Sequence, residues 1–216
     1  MKKESYWKLL VVGIFAIAFA LVEAMVVVYI RRIYYPSGFT FPLVRDAIEI
    51  LSAELAREFA TIVMLIAVGY LAGKTLCEKF AYFMYSFAVW DIFYYIWLKV
   101  VIGWPFSFFD WDILFLIPWV WIGPVLAPII VSVSMIVFAF VLIDSGKNVP
   151  LKEWIFIIFG WLIVLYTFLI DYGRILFSSG IEGIYSFVPS GFNWALFFIG
   201  EFLVFTGIFV YYFRKK

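Results

Sequence analysis

The sequence predicts an all-α protein, a polytopic bundle of about six membrane-spanning helices. Hydrophobic residues make up 67% of its 216 residues and aromatic residues 24%, whereas a soluble domain is closer to half apolar. Apolar runs of about 18 residues or more recur along the chain, and each is long enough to cross a hydrocarbon core of roughly 30 Å. We therefore expect one integral membrane domain over residues 1–216, with spans at about 9–30, 46–72, 80–102, 113–143, 154–170 and 192–213.

Charges and helix breakers set the boundaries of these spans. The first apolar run is longer than the core of a cleavable signal, and Arg31 and Arg32 follow it instead of small residues. Asp46 is a suitable N-cap for the second span. Glycine or proline stands in each later connection, and the longest loop is expected over residues 171–191.

The fourth apolar run, residues 113–143, is too long for one straight crossing at ~1.5 Å per residue. It contains Pro118, Gly123, Pro124 and Pro128, and proline kinks a helix because it lacks a backbone donor. Two interpretations fit: a single kinked helix, or a short broken segment followed by a full span after Pro124. A broken segment needs protein or water around it, because lipid leaves irregular backbone unsatisfied.

Basic residues near the span ends predict the orientation. The side that holds both termini and the two short turns carries ten: Lys2, Lys3, Lys8, Lys74, Lys79, Lys147, Lys152, Arg214, Lys215 and Lys216. The opposite side carries five: Arg31, Arg32, Lys99, Arg45 and Arg174. This bias predicts a cell-membrane protein with both termini in the cytoplasm, although Arg31 and Arg32 run against it.

Ionisable residues inside the predicted spans mark the candidate site, because charge in a membrane segment is expensive and is a functional-site hypothesis by default. Four helices place carboxylates roughly 10–18 Å below the outer membrane surface, at ~1.5 Å per residue. These acids are Glu23, Glu54, Glu58, Asp91 and Glu201. We expect them to form one cluster in the outer half of the bilayer, with Glu58 and Asp91 deepest.

Helical spacing supports this cluster. Glu54, Arg57 and Glu58 follow the i, i+3, i+4 spacing of one helix face. Arg57 keeps its proton under ordinary conditions, so we expect it to be the hub that pairs with at least one acid. The cluster is either an ion-pair network that only holds helices together, or a functional polar pocket with surplus negative charge.

The third span and the following loop add further candidates. Tyr95 shares a helix face with Asp91 at i+4, and Tyr94 lies beside it. The mouth of the pocket is expected at Lys99, Asp110 and Asp112. The two aspartates either attract a cation or cap the next helix.

Composition limits the chemistry. There is no histidine and one cysteine, Cys77, which excludes haem and zinc sites built on histidine, Ser-His-Asp catalysis and an internal disulfide. Carboxylates suit a hard divalent cation, with Glu54, Glu58 and Asp91 as candidate ligands. A net charge of +1 does not provide the excess of basic residues that is typical of nucleic-acid-binding proteins. The expected partners are the lipid bilayer and, if a dimer completes the protein, a second copy of the chain.

Two stretches resemble an uncharacterised family of small prokaryotic polytopic membrane proteins. They are Trp90-Asp91-Ile92-Phe93-Tyr94-Tyr95, and residues 111–118 (WDILFLIP) followed by residues 123–128 (GPVLAP). The resemblance covers approximately residues 50–130. It implies a prokaryotic membrane protein and supplies no activity.

Three functions remain open. The first is cation or proton binding in a transport-type role. The second is an intramembrane enzyme acting on a lipid or isoprenoid, with Glu58 or Asp91 as acid or base, Tyr94 or Tyr95 assisting and Arg57 holding a phosphate. The third is a structural or accessory subunit. An aqueous path to the cluster would favour transport, and a lateral opening between helices would favour the enzyme. A tightly packed cluster without a cavity would favour the structural subunit.

Overall fold

The computed structural model describes residues 3–45 and 50–214, with the exception of the Ile181 side chain. Within these residues, six helices are long and apolar enough to cross a membrane. They are α1 (Lys3–Tyr34), α2 (Leu51–Ala72), α3 (Leu76–Ile102), α4 (Leu126–Ser145), α5 (Leu151–Ser179) and α6 (Trp194–Arg214). Two short strands, β1 (Trp111–Phe115) and β2 (Trp121–Pro124), separate α3 from α4, and a 3-10 turn (Ile181–Tyr185) follows α5. The predicted all-α polytopic bundle is confirmed.

Several helices differ in extent from the predicted spans. The largest difference is at α5, which continues through residues 171–179, where we expected a loop. Gly173 does not break it, because a single glycine is tolerated within a helix at a cost of ~1 kcal/mol. The helix ends at Gly180, whose φ of +67° favours glycine. Asp46, the predicted N-cap of the second span, lies outside the described residues.

Residues 111–124 form a β-hairpin, so the interpretation of one kinked helix is wrong and the broken segment is correct. The strands are antiparallel, with Asp112 opposite Gly123 and Ile113 opposite Ile122. Helix is disfavoured here because Pro118 and Pro124 donate no backbone hydrogen bond. A full helix then begins at Leu126, where Pro128 is tolerated within the first turn.

The six helices form two packed groups. In the first, α3 lies against α1, α2 and α4, while α1 and α2 contact each other only lightly. Ala16, Ala20 and Ala24 are fully buried on one face of α1, and their small side chains permit its close approach to α3. In the second group, α5 packs on α6 and also supports the hairpin.

Glycines let α5 and α6 approach closely. A Cβ added at Gly160 would lie 2.6 Å from the carbonyl oxygen of Gly200, and one added at Gly200 would lie 2.8 Å from that of Gly160. No side chain larger than hydrogen therefore fits at either position without separating the helices.

Ion pairs define the two ends of the bundle. Arg31 at the end of α1 pairs with Asp112 in the hairpin, at what we call the hairpin end. Glu4 pairs with Lys74, and Arg214 pairs with Glu153, at what we call the terminal end. The two ends correspond to the two membrane faces that a bundle of spanning helices presents.

Candidate functional site

A partly open cavity of about 230 Å³ lies at the hairpin end, and it is lined by residues of α1, α2, α3, α5, the hairpin, the loop after α1 and the 3-10 turn. Its walls are largely apolar and aromatic, and seven charged residues line it: Glu23, Arg31, Glu54, Arg57, Glu58, Asp91 and Asp112. Among the described residues, five carboxylates thus meet two guanidinium groups. The cavity brings together most of the predicted cluster.

Arg57 joins α2 to α1. Its guanidinium forms an ion pair with Glu23 of α1, and a second with Glu54 at an Nη2–Oε2 distance of 2.7 Å. Glu23 also accepts a hydrogen bond from the Thr61 hydroxyl at 3.1 Å. The i+3 and i+7 spacing from Glu54 places Arg57 and Thr61 on one face of α2. The prediction that Arg57 lies within salt-bridge reach of an acid is confirmed.

Glu58 and Asp91 are the two acids of the cavity that form no salt bridge within residues 3–45 and 50–214, although the charge of Arg57 acts on Glu58 from a greater distance. Glu58 of α2 accepts a hydrogen bond from the backbone N–H of Leu116 in the hairpin segment, at 2.8 Å. Asp91 of α3 accepts one from the Ser132 hydroxyl of α4, also at 2.8 Å. Hydrogen bonds hold both carboxylates in place without neutralising them.

Tyr94 provides an aromatic wall one turn after Asp91. Its ring lines the cavity, stacks on Trp90 at a centroid distance of 6.3 Å and meets Tyr95 edge-on at 5.0 Å. Trp90 and Tyr95 are neighbours of Tyr94 on the same helix, and their two ring contacts fix the orientation of the Tyr94 ring.

A second ion pair, between Arg31 and Asp112, also lines the cavity. Arg31 Nη2 donates to Asp112 Oδ1 at 2.8 Å, and the two residues are only 6% and 2% exposed. The guanidinium also lies over the rings of Trp104 at 3.8 Å and Phe39 at 4.5 Å. Burial raises the pKa of Asp112 to about 6, although Arg31 acts in the opposite direction.

The role of Arg31 was not predicted from the sequence, which placed this residue in an external loop. A signal was present, because Arg31 and Arg32 ran against the charge bias that sets the orientation. In the structure, the charge of Arg31 is compensated inside the protein by Asp112 and by two aromatic rings.

Four predicted residues lie outside the cavity. Tyr95 is buried against Trp104 in the core beside α1. Lys99 donates to the carbonyl groups of Gly103 and Pro105, so it closes the end of α3. Asp110 accepts from backbone N–H groups of the loop after α3. These contacts shape the hairpin end and place neither charge at the mouth of the cavity.

Glu201 is the fourth of these residues. It is 3% exposed on α6, among the contacts of α6 with α5 and α4, and it does not line the cavity. The sequence gave only an expected depth for Glu201 along the helix axis, and depth says nothing about position around the bundle. Glu201 therefore does not join the predicted cluster.

The structure does not assemble the expected divalent-cation site. Within the described residues, no three Asp, Glu or Cys side chains are arranged to hold a metal ion. Glu54 accepts hydrogen bonds from Arg57, and Glu58 accepts one from the hairpin backbone. Asp91 accepts one from Ser132 of α4. Each of the three predicted ligands thus has a different protein partner.

Comparisons of the chain with models of protein families, with curated proteins and with solved structures found no match. The site is therefore interpreted from its own geometry and chemistry.

Proposed function

We propose that this integral membrane protein binds a cation or a proton in a transport-type role, at the cavity of the hairpin end. The observation that carries the proposal is the pair of carboxylates, Glu58 and Asp91, that line the cavity without a salt bridge in the described parts of the chain; no cationic side chain there acts on Asp91, and only the more distant Arg57 acts on Glu58. An ionised carboxylate without counter-charge is costly in a low-dielectric interior. Such a group takes up a proton or a cation, and exchange between the two is the elementary step of coupled transport.

The cavity favours this role over a purely structural one. A subunit whose charges only hold helices together is expected to pack them without a void, whereas here about 230 Å³ stays open beside them. The enzyme alternative used Arg57 to hold a phosphate. Arg57 is already paired with Glu23 and Glu54, and both acids would repel a phosphate placed beside it.

We also propose that the hairpin end faces the outside of a prokaryotic cell. The terminal end carries the larger number of basic residues, which are retained in the cytoplasm. The cavity then opens toward the outer half of the membrane, where a ligand from outside would enter.

Cation-induced proton release tests the proposed function. Purified protein in detergent and weak buffer is titrated with Na⁺, K⁺ and methylammonium, and a pH dye reports protons displaced from the carboxylates. We expect at least one of these cations to release protons from the wild type. Asp91→Asn keeps the shape of the side chain but removes its exchangeable proton, so it should reduce the release.

Glu201→Gln is the matched control, because it neutralises a buried membrane carboxylate that does not line the cavity. It should release as many protons as the wild type, and Asp91→Asn should melt within a few degrees of the wild type. The proposed function would be refuted if the wild-type protein released no protons with any cation, including tetraethylammonium.

A further inference from the structure

We infer that the cation is an organic ammonium ion, held against the Tyr94 ring with Asp91 and Glu58 as its counter-charges. The inference rests on the proposed function, because it names the class of ligand for the same cavity. It distinguishes this ligand class from the inorganic ions that an acidic cluster alone would suggest.

The lining of the cavity is the first reason. Tyr35, Phe39, Trp90, Tyr94, Phe115, Tyr172 and Tyr185 all contribute to its walls. An inorganic cation needs several oxygen ligands to replace its water, and no suitable group of three acids exists in the described residues. An alkylated ammonium ion instead gains from apolar walls and from the faces of aromatic rings.

One of the protein's own cationic side chains is already held in this manner at the same cavity. The guanidinium of Arg31 has one carboxylate partner, Asp112, and two aromatic neighbours, Trp104 and Phe39. Asp91 and Tyr94 repeat the combination of a carboxylate with an aromatic wall, but no lysine or arginine in the described residues fills it. The geometry thus offers a second cation site of the same chemistry.

The ion pair between Arg31 and Asp112 leaves one oxygen of the carboxylate without a partner in the described part of the chain. Oδ2 of Asp112 has no hydrogen-bond partner among the described residues, although the residue is 98% buried and lines the cavity. Tyr94 lies within electrostatic range of Asp112, Asp91 and both arginines. The lining holds five carboxylates against two guanidinium groups, so its formal charge is negative and favours a cation at the Tyr94 ring.

The test compares tetraethylammonium with K⁺ and Na⁺ in the proton-release assay. Tetraethylammonium cannot donate a hydrogen bond, so its recognition depends on charge and on contact with rings. We expect its half-maximal concentration to be at least about tenfold lower than that of either metal ion, and Tyr94→Leu to raise it about 3- to 30-fold. The response to K⁺ should change less than the response to tetraethylammonium in that variant, because a metal ion gains less from the ring.

Graded substitutions at position 94 distinguish an effect of the charge on the ring face from an effect on folding. Tyr94→Phe should keep the preference for tetraethylammonium, while trifluorinated phenylalanine at position 94, which has the same shape but a less negative ring face, should weaken it. Tyr166→Leu, which removes a tyrosine that does not line the cavity, should behave as the wild type.

The outcomes distinguish the two proposals. Proton release by K⁺ or Na⁺ with no advantage for tetraethylammonium would overturn the inference and leave the proposed function standing. Equal binding of tetraethylammonium to the phenylalanine and trifluorinated variants would also overturn it. Absence of release with every cation would refute the proposed function itself.

Discussion

Replacing Arg57 with alanine should destabilise the protein more than replacing Glu54, one of the two acids to which it is bound. Arg57 is the common partner of Glu23 and Glu54, and its side chain is 21% exposed against 7% and 17% for the two acids. Arg57→Ala leaves both carboxylates without a counter-charge. Glu54→Ala leaves the Arg57–Glu23 pair intact.

The expected magnitudes follow from these contacts. Removal of one partner of a buried ion pair costs roughly 3–5 kcal/mol, and we expect Arg57→Ala to fall in that range. Glu54→Ala removes charge-assisted hydrogen bonds and should cost about 1.5–3 kcal/mol. At ~2–4 °C per kcal/mol for a chain of this size, Arg57→Ala should lower the melting temperature by roughly 6–20 °C and Glu54→Ala by roughly 3–12 °C.

Thermal melting of the purified variants in one detergent measures the difference. Arg174→Ala is the control, because Arg174 is 73% exposed and its pair with Asp171 is long, at 3.7 Å, so it should cost ~1 kcal/mol or less. Adding Glu23→Gln to Arg57→Ala removes one stranded charge and should recover part of the loss. Equal melting temperatures for Arg57→Ala and Glu54→Ala would refute the role of Arg57 as the hub.

Two further predictions concern packing and orientation. Gly160→Val should separate α5 from α6, because its Cβ alone would lie 2.6 Å from a backbone oxygen, and overpacking of this kind costs about 1–3 kcal/mol or more. The control is Gly173→Val on the same helix, whose Cβ would meet nothing within 4 Å. This control variant should melt several degrees higher than Gly160→Val. Reporter fusions at Lys79 and Lys147 should report cytoplasm and a fusion at Ser186 the outside, and the reverse pattern would show that the orientation is wrong.

The number of spans and the pairing of Arg57 could be predicted because both depend on local order in the chain. Length and hydropathy identify a spanning helix, and the interval of three residues between Glu54 and Arg57 places them on one helix face. Neither inference requires knowledge of how the helices are arranged around one another.

The hairpin and the pairing of Arg31 could not be predicted, because both depend on tertiary contacts. Prolines at 118 and 124 indicate that a helix stops, but they do not specify what replaces it. Arg31 and Asp112 are 81 positions apart, and no periodicity connects them. Glu201 shows the same limit, since its depth was estimated without any information on which neighbours α6 would have.

The hairpin also ties completion of the cavity to the order in which the chain is synthesised. A two-stranded ribbon is at best marginally stable alone, and lipid cannot satisfy its open edges. Its supports come from both directions along the chain: Arg31 and Glu58 precede it, whereas Phe168 of α5, which stacks on Trp121 at 6.0 Å, follows it. The full set of these contacts can form only after α5 has been synthesised, and the lining of the cavity, which includes Tyr172 of α5, is incomplete until then.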